Sequence, residues 1–366
     1  MTHTAIIGAG AAGLFAAKRL SAQKGQQITI FEKSSKVGTK LRASGGGRAN
    51  ILNTSILPSH YNNAEFMDSV LKRASYATLR DEFAKMGLLL TADEEGRVYP
   101  ATLFAATVVN VLLEQLGDNV SIACDTPVLS LTPDHGKWKI NNEKKLFDRV
   151  ILASGSPAGM IPKNQAGYNN YLSDLQLNRK KLTPSLTGFT LHHYPSFFFG
   201  CRVRAEVSLL QENHLIFKEK GEVIFKEDGI SGIVILNCSA YYNRLSNKKN
   251  CQLSLNLLPD DTVTDIKKQL EKFGSLSGIL HPKLCKWHEK KPFDPRNLSW
   301  EIKDTYGIEF AQVCSGGICI DELDNNFHLK RFPGLQAIGE MVDIDGVCGG
   351  YNLFFAFASA YLATQI

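Results

Sequence analysis

The sequence predicts an α/β fold in which a parallel-sheet domain is interrupted by an inserted, mainly antiparallel β domain with a short helical part. Near the start, an apolar strand leads into Gly8-x-Gly10-x-x-Gly13 and then into a helical pattern. A second strand-to-helix junction follows late in the chain, at 334–352. Between these junctions, runs of alternating apolar residues are typical of antiparallel strands.

The change of pattern sets the predicted domain boundaries. Alternation is clear in runs such as 203–209 and 222–225, and polar or helical segments occupy 262–298. We therefore predict a discontinuous α/β domain over 1–182 and 300–366, with the inserted domain over 183–299.

The glycine motif predicts a dinucleotide site. Its first glycine permits a tight turn, the second lets the backbone approach a pyrophosphate, and the third lets the helix pack closely on the strand. The helix N-terminus offers N–H groups and partial positive charge to that phosphate. A second strand ends at Glu32, 19 residues beyond Gly13. A carboxylate there can hold a ribose 2′-hydroxyl. A glycine-rich turn in an ordinary βαβ unit would not explain an acidic residue at this position.

A second glycine-rich segment follows at 38–50. Three consecutive glycines, Gly45-Gly46-Gly47, are flanked by Lys40, Arg42 and Arg48. Because three glycines cost much backbone entropy, we expect this loop to need positive φ or contact with a ligand.

The remaining elements are predicted from apolar periodicity. We predict helices over 65–87 and 102–116 and strands over 120–123, 128–131, 138–140 and 147–153, the last ending at Ser154-Gly155. The apolar run 353–360 is too short to cross a bilayer and is predicted to be a buried helix.

The composition is ordinary for a soluble enzyme, with 44% apolar and 21% charged residues. The net charge of +5 is mild for 366 residues, so we expect no nucleic-acid partner. The basic pairs 248–249 and 290–291 are expected to lie on solvated faces.

The eight cysteines form no Cys-x-x-Cys pair and no zinc-ligand spacing. The pair His192-His193 has no third ligand at suitable spacing, so we predict no metal site. The start of the chain lacks the basic region of a signal peptide. Scattered thiols in such a chain predict a cytoplasmic protein without a membrane span.

Several spaced motifs together resemble one known family. They are Gly8 to Gly13, Gly-Thr-Lys-Leu (38–41), Ser-Gly-Gly-Gly-Arg-x-Asn (44–50), Gly-Arg-Val-Tyr-Pro (96–100), Gly-Ile-Ser-Gly (229–232), Ser-Gly-Gly-Ile (315–318), Gly-Glu (339–340), Asp-x-Asp-Gly (343–346) and Gly-Gly-Tyr-Asn (349–352). The chain resembles the BaiN-like, or aminoacetone-oxidase-like, bacterial flavoproteins, nearly from end to end. The resemblance implies a glutathione-reductase-type, Rossmann-like FAD domain, with the inserted β domain as a substrate or cap domain.

The chain departs from the family pattern at three places. Ala49 stands where the family usually has a cysteine, and the insertion is short, mainly in its helical part. Residues 154–159 read Ser-Gly-Ser-Pro-Ala-Gly, where the family carries a Thr-Gly-Gly-x-Ser-Tyr-Pro-like segment. These departures concern the substrate more than the flavin.

The resemblance implies cofactor-binding roles around the first motif. The residues at the FAD pyrophosphate would be Gly8, Gly10, Ala12 and Gly13. Glu32 would meet the adenosine ribose. Lys33 would lie over the adenine edge or be an exposed lysine at a strand end.

Further implied contacts come from later segments. Val128 would present its backbone to the adenine from a strand, with Gly155 close by. Asp343, after Gly339-Glu340, would bond the ribityl or phosphate region or cap a helix. Lys40 would contact a phosphate or its own loop.

The resemblance also places residues at the flavin ring. Gly349, Gly350, Tyr351 and Asn352 would begin a helix whose positive end faces the flavin pyrimidine and stabilises charge at N1/O2. Arg48 and Asn50 are the predicted catalytic residues beside the isoalloxazine or substrate, or else they anchor the loop or the phosphates. Tyr99 would line the cavity or pack in the core.

Two absences in the sequence narrow the reaction. There is no second Gly-x-Gly-x-x-Gly motif for a dedicated NAD(P)H domain and no redox-active cysteine pair for a disulfide reductase. We predict an FAD-dependent oxidoreductase that passes hydride from flavin N5 to a small substrate such as a conjugated enone, with NAD(P)H as a candidate reductant. The alternatives are an amine or amino-ketone oxidase and an FAD-binding RNA-modifying or redox-sensing protein.

Overall fold

The structure is a computed structural model that describes residues 1–160, 165, 168–258 and 266–365. The strands are β1 (Thr2–Ile7), β2 (Gln26–Phe31), β3 (Leu52–Asn53), β4 (Leu90–Ala92), β5 (Arg97–Pro100), β6 (Val120–Ala123), β7 (Leu131–Asp134), β8 (Lys137–Ile140), β9 (Leu146–Phe147), β10 (Arg149–Leu152), β11 (Arg179–Ser185), β12 (Phe189–Leu191), β13 (Arg202–Gln211), β14 (His214–Phe225), β15 (Gly229–Ser231), β16 (Cys251–Asn256), β17 (Leu298–Thr305), β18 (Val313–Ile318) and β19 (Leu335–Ala337). The helices are α1 (Ala11–Ser21), α2 (Thr39–Ala43), α3 (Ala64–Arg73), α4 (Tyr76–Lys85), α5 (Ala105–Glu114), α6 (Ile233–Arg244), α7 (Ile266–Phe273), α8 (Pro282–Lys290) and α9 (Tyr351–Ala363).

The chain divides into two units. The first comprises Met1–Pro157, Pro162–Leu182 and Gly316–Ile366, and the second comprises Ala158–Ile161 and Thr183–Ser315. The chain therefore returns to the first unit at Gly316, later than the predicted residue 300. The reason is that β17 pairs with both β12 and β16 and so belongs to the second unit.

The first unit is built on a five-stranded parallel sheet in the order β19-β10-β1-β2-β6. β1 lies at the centre, and the order reverses beside it, between β1 and β10. In such sheets, ligands bind beyond the carboxyl ends of the strands at this reversal. The parallel sheet predicted from the first motif is confirmed, and the glycine motif lies at the reversal.

Helices cover this sheet with an apolar and partly aromatic core. Phe15 of α1, Phe83 of α4 and Phe357 of α9 meet with ring centroids 4.9 to 5.5 Å apart. α9 contains the apolar run predicted to be a buried helix, and most of its side chains are buried. Because α9 packs against α1, the two helices that begin at glycine junctions share one core.

The first unit also contains two smaller antiparallel sheets. One has the order β3-β5-β4 and the other β7-β8-β9. The predicted helix 65–87 is in fact two helices, α3 and α4. The break occurs at Ser75, whose side chain accepts from the Thr78 N–H and caps α4.

The second unit contains a closed six-stranded barrel in the order β12-β15-β14-β13-β16-β17. α6 packs on its long β13–β14 hairpin. The antiparallel prediction for this region is confirmed, and α7 and α8 supply the helical part, although 259–265 lie outside the described residues. In the described ranges, no helix is long and apolar enough to cross a membrane.

Candidate functional site

The turn between β1 and α1 has a different spatial requirement at each glycine. A Cβ on Gly8, whose φ is +107°, would lie 2.5 Å from the Ala153 carbonyl oxygen. A Cβ on Gly13 would lie 2.0 Å from the Gly8 carbonyl oxygen. Gly10 differs, because nothing lies within 4 Å of its Cβ position. Gly8 and Gly13 are therefore required by the fold, whereas Gly10 leaves space for a ligand.

The N-terminus of α1 is suited to an anion. Within the described chain, no side chain caps this helix, and Gly10 occupies its N-cap position in an extended conformation. The first-turn N–H groups have no partner inside a helix. Ala12, in this turn, is buried against Gly339, where a Cβ would lie 3.0 Å from the Ala12 Cβ.

Glu32 holds the backbone at the end of β2. Its carboxylate accepts from the Ala9 N–H and the Ser34 N–H, each at 2.8 Å. Each carboxylate oxygen keeps a further lone pair for a hydroxyl donor. Glu32 thus ties the glycine turn to the neighbouring strand and can still serve a ribose.

Replacing Glu32 with alanine should destabilise the protein even without a cofactor. The Ala9 N–H is buried, so losing its acceptor is expected to lower the free energy of unfolding by about 1–3 kcal/mol. Urea denaturation of the flavin-free protein measures this change. Glu32→Gln, which keeps one acceptor oxygen, is the control and should lose less. Equal stability of wild type and Glu32→Ala would contradict the role of this carboxylate.

Other residues predicted near the adenosine lie at the same edge of the sheet. Lys33 lies 5.0 Å from the centre of the Tyr168 ring, and burial lowers its pKa. Gly155, with φ of +72°, follows β10. Val128 is not in a strand, contrary to the prediction, because β7 begins only at Leu131. The segment before Val128 is joined to the end of β2 by the Thr126 N–H, which donates to the Glu32 carbonyl at 2.8 Å.

Lys40 and Glu340 meet beside Gly155, although 300 residues separate them. The Lys40 Nζ lies 2.8 Å from the Glu340 carboxylate and 3.4 Å from the Ser156 hydroxyl. Ser156 donates to the same carboxylate. Lys40 is nearly half exposed, so its ammonium keeps donor capacity for an anion at the sheet edge.

Asp343 is buried and engaged on both sides. Its carboxylate pairs with the Lys180 Nζ at 2.7 Å and accepts from the Asn62 amide at 3.3 Å. The Asn62 backbone N–H also donates to the Asp345 carbonyl, and its side-chain oxygen accepts from the Asp345 N–H. These bonds hold the 343–345 turn in one conformation. They give no support for Asp343 as a helix cap.

The glycine-rich loop adopts the backbone expected from its sequence. Gly45, Gly46 and Gly47 have φ of +57°, +65° and +86°. Ala49 follows at +57° and is fully buried. Since side chains rarely adopt this region, the three glycines serve a conformational need.

This loop meets the start of α9. A Cβ on Gly350 would lie 2.6 Å from the Asn50 side-chain oxygen and 2.3 Å from the Leu52 carbonyl oxygen. The Asn53 amide donates to the Gly349 carbonyl at 3.0 Å. The two segments predicted at the flavin ring are therefore neighbours. Position 350 therefore requires glycine, because any side chain there would clash with Asn50 and Leu52.

The first two residues of α9 are engaged within the protein. The Tyr351 carbonyl accepts from the Tyr61 hydroxyl at 2.9 Å. The Asn352 side chain bonds back to Gly346, accepting from its N–H at 2.8 Å and donating to its carbonyl at 2.9 Å. These bonds fix the loop before the helix, so we expect Asn352 to shape the site rather than contact a ligand through its side chain.

Arg48, Tyr99 and Cys348 form a group beside this junction. The Arg48 guanidinium lies 5.8 Å from the centre of the Tyr99 ring. Burial raises the pKa of Tyr99; Arg97 and Arg48 lower it, and Asp93 and Cys348 raise it. Tyr99 is buried, and within the described chain no hydrogen bond involves its hydroxyl. Its proton is therefore not engaged by any described residue.

The residues present fit FAD. The uncapped α1 and the open side of Gly10 suit a pyrophosphate, and the Glu32 carboxylate suits a ribose. The Asn50 side-chain oxygen is buried without a partner among the described residues. Flavin carries one N–H donor on its pyrimidine edge, which would satisfy this oxygen at the positive end of α9.

Several contributors were not predicted from the sequence. Asn62, Lys180 and Ser156 act through partners far away in the chain, and no local motif marks them. The described residues contain no group of three or more His, Cys, Asp or Glu side chains placed to hold a metal ion.

Comparison with known proteins covers almost the whole chain. The model of the HI0933-like protein Rossmann domain matches residues 2–366. A 3-dehydro-bile acid delta(4,6)-reductase of Clostridium scindens is 30% identical over 403 residues, covering 99% of this chain and 98% of that protein. The ribosomal RNA dihydrouridine synthases of Escherichia coli and Haemophilus influenzae are 27% and 26% identical, covering 98% and 97% of this chain and 96% of each relative.

These matches confirm the family resemblance found in the sequence. They also confirm the FAD cofactor and the FAD-dependent oxidoreductase activity that the resemblance implies. The chain therefore belongs to the HI0933-like family of Rossmann-domain proteins.

Proposed function

We propose that this protein reduces a carbon–carbon double bond conjugated to a carbonyl group, with NAD(P)H as the reductant. The observation that carries the proposal is the meeting of the glycine-rich loop, the start of α9 and the group of Arg48, Tyr99 and Cys348. A positive helix end and a phenol proton with no partner among the described residues suit the two halves of such a reduction. FAD supplies the hydride when it is bound.

The relatives' names support the same bond type. A delta(4,6)-reductase acting on a 3-dehydro compound reduces a double bond conjugated to a ketone. A dihydrouridine synthase reduces the uracil C5=C6 bond, which is conjugated to the C4 carbonyl. Reduction of such a conjugated bond adds hydride to the carbon remote from the carbonyl and a proton to the other carbon of the bond.

The chain's own residues would bind the cofactor, orient its flavin ring and protonate the substrate. The glycine turn and α1 would hold the pyrophosphate, and Glu32 and Asp343 would hold hydroxyl groups. Asn50 and the start of α9 would orient the pyrimidine edge. Tyr99 would donate its proton to the substrate carbon next to the carbonyl, since a phenol is protonated at neutral pH and burial raises its pKa further.

Small enones are the first substrate class proposed, in keeping with the bile acid reductase relative. Uracil in RNA is the second candidate, favoured by the two full-length dihydrouridine synthase relatives. We also propose a cytoplasmic location, since within the described chain all eight cysteines are thiols rather than disulfides.

An anaerobic oxidative half-reaction tests the proposal. The FAD-loaded protein is first reduced and then mixed with cyclic enones and a dienone ketone. In a parallel experiment the oxidised protein is mixed with a primary amine and an amino-ketone. Return of the oxidised flavin absorbance with an enone, together with the saturated ketone as product, is expected. Failure of every enone combined with reduction of the oxidised protein by an amine would favour an oxidase and reject the proposal.

A further inference from the structure

The positive charge of the chain is concentrated in one part of the second unit. The stretch 266–291 contains seven lysines and two glutamates, a net charge of +5 that equals the net charge of all 366 residues. The rest of the chain is therefore balanced. The small net charge of the whole chain is thus compatible with one strongly basic segment. Clustered lysines of this kind are typical of surfaces that bind polyanions.

Helix α8 presents its lysines on one face. Lys283, Lys286 and Lys290 are spaced by three and four residues, so they form a stripe along the helix. Leu284 and Cys285, on the opposite side, are buried. The helix is thus fastened by its apolar side, and its basic side points away from the core.

An aromatic turn lies directly beside this stripe. Phe198 is fully buried and contacts Trp287 of α8 with ring centroids 5.5 Å apart. Its neighbours Phe197 and Phe199 are 45% and 56% exposed. The Lys283 Nζ donates to the Phe199 carbonyl at 2.6 Å. Two exposed phenyl rings are therefore attached to a rigid anchor next to the lysines.

Helix α7 repeats the arrangement. Ile266 and Leu270 pack against the core of the second unit. Lys267, Lys268 and Lys272 occupy the other faces of the helix, and their side chains are exposed. Both helices thus turn most apolar residues inward and their lysines outward, although Phe273 at the end of α7 is 61% exposed.

We propose that the surface formed by Phe197, Phe199 and the lysines of α8 binds a single-stranded polynucleotide, with the lysines of α7 adding to the positive charge of the same unit. The lysines would pair with successive phosphates, and the two phenyl rings would stack on bases. An anionic membrane fits less well, because membrane-surface helices turn a continuous apolar face outward, whereas Leu284 and Cys285 of α8 face the core. The surface would serve the second candidate substrate class, but binding requires no flavin chemistry.

Fluorescence anisotropy tests this surface on the FAD-loaded protein. The probes are a 5′-labelled 12-nucleotide oligouridylate RNA, its DNA counterpart, and vesicles of anionic phospholipid, at salt concentrations from 50 to 200 mM. Binding that weakens steeply with salt is expected. Losing three phosphate contacts should lower the slope of log affinity against log salt by about 2 for a single strand.

Three variants separate the contributions. Lys283→Gln/Lys286→Gln/Lys290→Gln should weaken binding at least about tenfold and flatten the salt slope. Phe197→Ala/Phe199→Ala should weaken binding about tenfold or more with the slope unchanged. The matched control, Lys24→Gln/Lys144→Gln/Lys303→Gln, removes the same charge from exposed positions elsewhere and should retain wild-type affinity.

The outcomes are decisive in both directions. Tighter binding of RNA than DNA, or equal binding of both, supports the surface and shows which polynucleotide it takes. No binding at 50 mM salt, equal loss in the control variant, or binding to vesicles alone overturns it. Enone reduction measured on the same three variants should be unchanged, so failure of this surface and failure of the proposed reductase are distinguishable.

Discussion

Gly10→Val should abolish FAD binding while leaving the flavin-free protein folded. Gly10 has φ of –87° and ψ of –164°, a conformation open to any residue, and nothing lies within 4 Å of its Cβ position. A valine side chain would instead fill the space left for the pyrophosphate. We expect FAD affinity to fall at least about a hundredfold, equivalent to about 2.7 kcal/mol. Fluorescence titration of flavin-free protein with FAD measures the loss.

Gly13→Ala is the matched control, because it should fail in a different way. The added methyl would lie 2.0 Å from the Gly8 carbonyl oxygen, so strand and helix must separate. We expect a loss of about 3 kcal/mol or more in the free energy of unfolding, seen before any FAD is added. Wild-type FAD affinity in Gly10→Val would contradict the assignment of this turn to the pyrophosphate.

Tyr99→Phe should slow the oxidative half-reaction by about a hundredfold to a thousandfold. Phenylalanine keeps the buried ring but removes the proton that would reach the substrate carbon. Reduction of the flavin by NAD(P)H needs no such proton and should be unchanged. Stopped-flow absorbance of the flavin separates the two half-reactions. Calorimetric binding of the saturated ketone product should also be unchanged, because the ring that lines the site remains.

The pH dependence of wild type gives an independent check on Tyr99. Burial raises the pKa of this phenol, so the protonated, donating form persists through neutral pH and is lost only as pH rises through the raised value. The oxidative half-reaction should therefore be flat near neutrality and fall in the alkaline range. Cys348→Ala is the companion variant. A large loss there with wild-type rates in Tyr99→Phe would assign the proton to the thiol instead.

Local sequence predicted the parts of the fold that depend on neighbouring residues. The glycine turn, the parallel strand that ends at Glu32 and the buried final helix each follow from a short pattern. The glycine-rich loop was also predictable, because Gly45 to Gly47 are needed for positive φ. These elements can be recognised because their requirements are steric and act within a few residues.

Contacts between distant segments could not be predicted in the same way. Lys40 meets Glu340, and Asn62 and Lys180 meet Asp343, only because the fold brings these segments together. Val128 was misplaced in a strand because a short apolar run has no clear periodicity. The domain boundary near 300 was early because membership of β17 in the barrel depends on its partners.

The location of the positive charge also could not be predicted from the total. The net charge of +5 argued against a polynucleotide partner, yet all of it can be assigned to 266–291. The net charge does not say where the charged residues lie, whereas a binding surface depends on which of them lie close together. The fold places α8 beside the Phe197–Phe199 turn, and this arrangement is what suits the lysines of α8 to the proposed binding surface.

The visible absorption spectrum of the purified protein, followed by anaerobic addition of NADH or NADPH, tests whether the protein holds FAD and whether a nicotinamide reduces it. We predict oxidised-flavin bands, release of FAD on denaturation, and bleaching of the bands by a nicotinamide. Absence of flavin even after incubation with excess FAD would contradict the assignment of the glycine turn, Glu32 and the start of α9 to an FAD site.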